Sequence, residues 1–150
     1  KTERIQGTAK RVLEVFGGEV PNTMQDLLTL PGVARKTANV VLGTVFRIPT
    51  GMVVDTHAKR VSNRLEITSE SKPELVERDL CKVFPEDQWI DMSHRLVLHG
   101  RYVCLARNPK CTLCPLAEIC PSAEAGPVDD WEPLAHRELL VVESRGAVKL

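Results

Sequence analysis

A chain of 150 residues, 43% hydrophobic and 4% aromatic, is long enough to bury one real core, and no repeat or low-complexity tract interrupts it. Its 20 basic and 20 acidic side chains cancel, so net charge alone gives no support for a nucleic-acid partner; residues 121–150 hold six of the acidic and three of the basic groups, leaving 17 basic against 14 acidic in residues 1–120. No apolar run reaches the about 18 residues of a membrane span and no signal peptide is visible, so the expectation is a cytoplasmic protein with no membrane partner.

From Thr2 to Phe16 the residues Ile5, Ala9, Val12, Leu13 and Phe16 fall on one helical face, and Gly17-Gly18 supplies a stop. The chain begins at Lys1, already inside this helical pattern, which reads as a truncated N-terminus. Thr23 followed by Asp26 resembles a capping arrangement for a short helix ending near Leu30, where Pro31-Gly32 forces a turn. A second helix is predicted from about Ala34 to Val45 with Ala38, Val41, Leu42 and Val45 inward, so that the two form a helical hairpin over about 23–45. Asp55-Thr56 caps a further helix through Leu65, and Pro73 starts another carrying Leu75, Val76, Leu80 and Val83. Asp87 begins the last long helix, with Trp89, Ile90, Leu96 and Val97, ending at Gly100. A cysteine-rich loop follows, then a tail over 123–150 in which Leu139–Val142 reads as a strand.

Four of the five cysteines, Cys104, Cys111, Cys114 and Cys120, follow the spacing C-x6-C-x2-C-x5-C. Four thiols so close in an intracellular protein read as a metal site rather than as disulfides. Spacing alone does not choose between zinc and an iron–sulfur cluster, because both accept four cysteine ligands. Cys81, beside Leu80 on the apolar side of its helix, reads as a small core residue.

The run His99-Gly100-Arg101-Tyr102-Val103-Cys104, continued to Cys120-Pro121, resembles the iron–sulfur loop of the endonuclease III family of DNA glycosylases. The string Leu30-Pro31-Gly32-Val33-Ala34-Arg35-Lys36-Thr37-Ala38 resembles that superfamily's helix-hairpin-helix signature. The resemblance covers about Lys1 to Ser122. It implies a [4Fe-4S] cluster on the four cysteines, with Arg107 and Lys110 turned toward DNA phosphates. His94 and His99 are surplus to a four-cysteine site and receive no ligand role; His57 is read as structural.

A glycine turn ahead of a helix start leaves backbone N–H groups pointing outward at the positive end of the helix dipole, which suits a phosphate, so Gly32, Val33, Ala34 and Arg35 are candidate DNA-binding positions that grip the backbone without reading sequence. The family usually has a second glycine where this chain has Ala34, a change that strains the hairpin if φ there is positive and is harmless if it is negative. The resemblance makes Lys36 the nucleophile that attacks the sugar C1′, expels the damaged base and forms a Schiff base leading to strand cleavage by β-elimination. The dipole at a helix start favours the neutral amine that attack requires. Val53-Val54-Asp55-Thr56-His57 resembles the catalytic-aspartate segment, making Asp55 the carboxylate that assists lysine deprotonation and stabilises the developing cationic sugar. Locally, Asp55 is also a favoured N-cap, and the two roles are compatible. A nearby carboxylate raises a lysine pKa, opposing the dipole, and the sequence leaves that balance open.

The resemblance therefore implies an all-α helix-hairpin-helix glycosylase fold. Residues 1–68 would form a partial six-helix bundle with the hairpin and the aspartate segment, and residues 69–122 a helical domain holding the cluster loop 104–120. The implied activity is glycosylase with AP lyase action, on duplex DNA carrying oxidised pyrimidines or abasic sites, by a monomer. Two alternatives stand beside it: a DNA-binding iron–sulfur module without catalysis, and a mismatch-specific glycosylase of the same superfamily.

Overall fold

The computed structural model describes residues 1–123; the expected strand at Leu139–Val142, and the tail around it, lie outside the described residues. Within the described residues the protein is all-α, with six helices: α1 (Thr2–Phe16), α2 (Met24–Leu28), α3 (Arg35–Val41), α4 (Thr56–Arg64), α5 (Pro73–Val83) and α6 (Trp89–Tyr102). No helix among them is long and apolar enough to cross a membrane.

Local chemistry sets most of the boundaries. Gly17 adopts a left-handed conformation and directs its N–H, like that of Gly18, back to the Val12 carbonyl, which ends α1. Thr23 caps α2: its Oγ1 accepts from the Asp26 N–H at 3.1 Å and donates to Asp26 Oδ2 at 2.7 Å. Pro73 occupies the first turn of α5, where its missing N–H costs nothing. A 3-10 turn over Glu86–Gln88 leads into α6, which continues two residues past the expected end at Gly100.

The hairpin's second helix departs from the expectation. It is α-helical only to Val41 and continues as a π-helical turn over Leu42–Phe46, closed by Arg47 at a positive φ of 59°. After buried Leu42 the next side chain to pack on this core is Phe46, and Val45, expected inward, is left 67% exposed.

Two apolar cores result. One gathers Leu27, Leu30, Ala38 and Leu42, with Val12, Phe16, Met24, Val33, Val41, Phe46 and Ile48 around them, and so fastens α1, α2 and α3 together. The other joins the 52–54 segment to α4, α5 and α6 through Met52, Val54, Ala58, Val61, Val76, Leu80 and Leu96. Full burial of an aliphatic side chain of the Leu27 or Leu80 kind contributes about 1.5–3 kcal/mol. Only two of the five residues of the expected inward face of α1 are used: Val12 and Phe16 pack, while Ala9 is exposed and Ile5 and Leu13 are 69% and 68% exposed. On α5, Val83 is exposed and a carboxylate, Glu77, is buried instead.

Candidate DNA-binding and iron–sulfur sites

Gly32 turns the hairpin with φ of +85°, a conformation L side chains rarely adopt, and a Cβ there would press on the Arg4 side chain. Thr8 Oγ1 braces the turn by donating to the Pro31 carbonyl at 2.8 Å. Ala34 lies at φ −101°, ψ 169°, an extended conformation open to any residue, so alanine in place of glycine strains nothing. The Val33 N–H is already taken by the Leu30 carbonyl at 3.1 Å. Ala38 N–H donates to Ala34 O at 3.0 Å, so the N–H groups of Arg35, Lys36 and Thr37 lie in the first turn, ahead of that bond. Lys36 stands exposed in this first turn.

The Arg35 side chain does not point freely outward. Its guanidinium forks onto Glu77 of α5, with Nη2 at 2.9 Å from Oε1 and Nε at 3.0 Å from Oε2, and this pairing raises the Arg35 pKa above its ordinary value against the opposing cost of burial. Asn39, one turn further along α3, donates to the same Oε1 at 3.1 Å and accepts from Thr50 Oγ1 at 3.0 Å. Local sequence gives no sign of this network, because its partners lie about forty residues apart and a glutamate at a helical core position reads as an error in the apolar stripe.

Asp55 is the N-cap of α4: its Oδ1 accepts from the N–H groups of both His57 and Ala58 at 2.8 Å. The segment before it is pinned by buried Ser93 of α6, whose hydroxyl accepts from Val53 N–H at 2.9 Å and donates to the Trp89 carbonyl at 2.6 Å. His57 Nδ1 faces the Arg60 guanidinium at 3.3 Å rather than a reacting group.

Cys104, Cys111, Cys114 and Cys120 line a single pocket, walled on the apolar side by Val61, Leu65, Val103 and Leu116. Burial, and behind it the proximity of the other three thiols, pushes the Cys114 thiol pKa up. Among the described residues no three His, Cys, Asp or Glu side chains converge to hold a single metal ion. Four thiols lining one pocket supply the donor set that an iron–sulfur cluster takes. Two arginines of α4 bind the loop. Arg64 Nη1 donates to Cys104 Sγ at 3.2 Å and to the Leu105 carbonyl at 2.6 Å, and Arg60 Nη2 donates to the carbonyls of Gly100 and Cys104 at 2.6 and 2.9 Å. His99 lies with Nε2 3.6 Å from Cys114 Sγ, and burial lowers its pKa. Arg107 and Lys110 are exposed on the loop between the first two cysteines, where Asn108 takes a positive φ of 51°.

Residues 16–44 match the helix-hairpin-helix motif, and residues 104–120 match the iron-sulfur binding domain of endonuclease III. The chain is 53% identical over 125 residues to endonuclease III of Synechocystis sp., covering 83% of this chain and 57% of the relative. It is 48% identical over 120 residues to endonuclease III of Escherichia coli K12, covering 80% and 56%. Among solved structures it is similar to a non-covalent endonuclease III–DNA complex, with TM-score 0.76, 40% identity and coverage of 81% of this chain and 56% of that one. A trapped endonuclease III–DNA covalent intermediate matches at TM-score 0.76 and 39% identity, covering 81% and 57%, and a thermostable thymine-DNA glycosylase at 0.68 and 27%, with the same coverage. The chain thus spans a little over half the length of the curated relatives it matches. The hairpin, the thiol-lined loop and these matches together make the chain similar to endonuclease III over a little more than half of that protein's length.

Proposed function

We propose that the protein is a base-excision repair glycosylase with AP lyase activity, acting on duplex DNA that carries oxidised pyrimidines or abasic sites, in the cytoplasm. The observation that carries this reading is the position of Lys36: an exposed amine in the first turn of α3, directly behind the Gly32 turn that suits a phosphate. The relative solved as a covalent DNA intermediate supports a covalent route.

In this reading the hairpin holds a DNA phosphate through the backbone N–H groups of Gly32, Ala34 and Arg35, that of Val33 being already taken, while Arg107 and Lys110 meet a second stretch of backbone. The target nucleotide leaves the stack. Lys36 Nζ attacks C1′; the N–C1′ bond forms as the bond from C1′ to the base breaks, and the base departs with that electron pair and takes up a proton. Asp55 accepts the proton that Lys36 loses and offsets the positive charge on the sugar, its Oδ1 held by the α4 cap. Ring opening gives a Schiff base, and loss of a C2′ proton expels the 3′ phosphate. Cys104, Cys111, Cys114 and Cys120 hold the cluster, which when bound supplies the cross-link that shapes the loop carrying Arg107 and Lys110.

Borohydride reduction on DNA with an abasic site tests the reading. A covalent adduct is expected with the unaltered chain and none with Lys36→Gln, whose DNA affinity should fall only modestly because the hairpin amides remain. DNA binding without any adduct from the unaltered chain would favour the non-catalytic module instead.

A further inference from the structure

The proposed chemistry needs Lys36 on α3 and Asp55 at the start of α4 to hold a fixed relation, yet the two helices belong to different apolar cores. Glu77 lies between those two units. It is 8% exposed, the one charged side chain buried among the described residues, and its carboxylate receives the Arg35 fork and the Asn39 amide, both from α3. The Thr50 hydroxyl ties the chain leading to Asp55 into the same network through Asn39, and Gly51 passes so close to Glu77 Oε1 that a Cβ there would collide with it. Arg35 immediately precedes Lys36, and Thr50-Gly51 lies four residues ahead of Asp55.

We infer that Glu77 is a positioning residue for the proposed lyase reaction, one buried carboxylate that fixes the α3 start bearing Lys36 relative to the segment bearing Asp55. Every hydrogen bond it receives comes from the far side of the boundary between the cores, so its charge acts as a clamp and touches no substrate. The inference rests on the Schiff-base reading above.

The test compares Glu77→Gln, Arg35→Lys and the double variant with the unaltered chain, on DNA with one abasic site. Glu77→Gln keeps the shape and removes the charge; Arg35→Lys keeps the positive charge and removes the planar fork. Single-turnover trapping at saturating DNA should slow by about tenfold to a hundredfold in each, because small misplacements of reacting groups carry losses of that order. The DNA dissociation constant of Glu77→Gln should move less than about threefold, since phosphate contacts made by backbone amides survive. The double variant should be no slower than the worse single one, as expected for two halves of one interaction. Trapping rates within twofold of the unaltered chain for either single variant would overturn the inference. If Glu77→Gln loses its cooperative melt, Arg35→Lys decides alone on the same criterion. An unaltered chain that binds this DNA but is never trapped would overturn the Schiff-base reading, and the inference with it.

Discussion

Asp55 carries two separable burdens, and substitution distinguishes them. As an N-cap it needs only an oxygen acceptor, which asparagine supplies nearly as well; as a base and counter-charge it needs the carboxylate. Asp55→Asn is expected to melt within about 0.5 kcal/mol of the unaltered protein while trapping falls about a hundredfold or more. Asp55→Ala should lose the activity and about 1 kcal/mol of stability besides. Denaturant titration and single-turnover trapping on both variants check this; full trapping by Asp55→Asn would remove the carboxylate from the chemistry. At this scale the sequence was legible wherever the cause was local. The Thr23 and Asp55 caps, the Pro73 start and the cysteine spacing each depend on residues a few positions apart. Glu77, Arg60 and Arg64 were not legible as partners, because what they bind arrives from about forty residues away and no periodic pattern records it.

Between elements, α4 and α6 cross closely at Gly100. A Cβ built on Gly100 would stand 2.8 Å from His57 Cβ, 3.0 Å from Val61 Cγ2 and 3.1 Å from the His57 carbonyl, so the obstruction includes backbone and no side-chain rotation relieves it. The Arg60 guanidinium closes the crossing by donating to the Gly100 carbonyl. Gly100→Ala is therefore expected to cost about 1–3 kcal/mol, the usual range for overpacking, and a denaturant midpoint equal to that of the unaltered protein would show that the helices are free to separate. Sequence reading placed Gly100 at the helix end, the ordinary role of such a glycine, and α6 instead runs through it to Tyr102 because the glycine serves packing rather than termination. The π-helical turn at Leu42–Phe46 was missed for a related reason: its apolar residues fit an α-helical stripe equally well, and the stripe does not record that Val45 turns outward.

Across the described residues, polar devices supplement the two cores: the Arg35–Glu77 pair joins them, and the arginines of α4 grip the cluster loop within the second. The cysteine loop has short 3-10 turns at Cys111–Leu113 and Ala117–Ile119 and no longer helix of its own, so the cluster is the main cross-link available to it. Protein purified aerobically should be brown and carry about four irons per chain, and metal analysis finding one zinc and no iron would contradict the cluster while leaving the hairpin untouched. The central claim is chemical: a covalent bond from DNA to one particular lysine. Reduce the protein on DNA with a single abasic site, digest the adduct with protease and nuclease, and locate the modified residue by mass spectrometry. The account predicts the sugar remnant on Lys36; the remnant on any other amine, or on none, would contradict it.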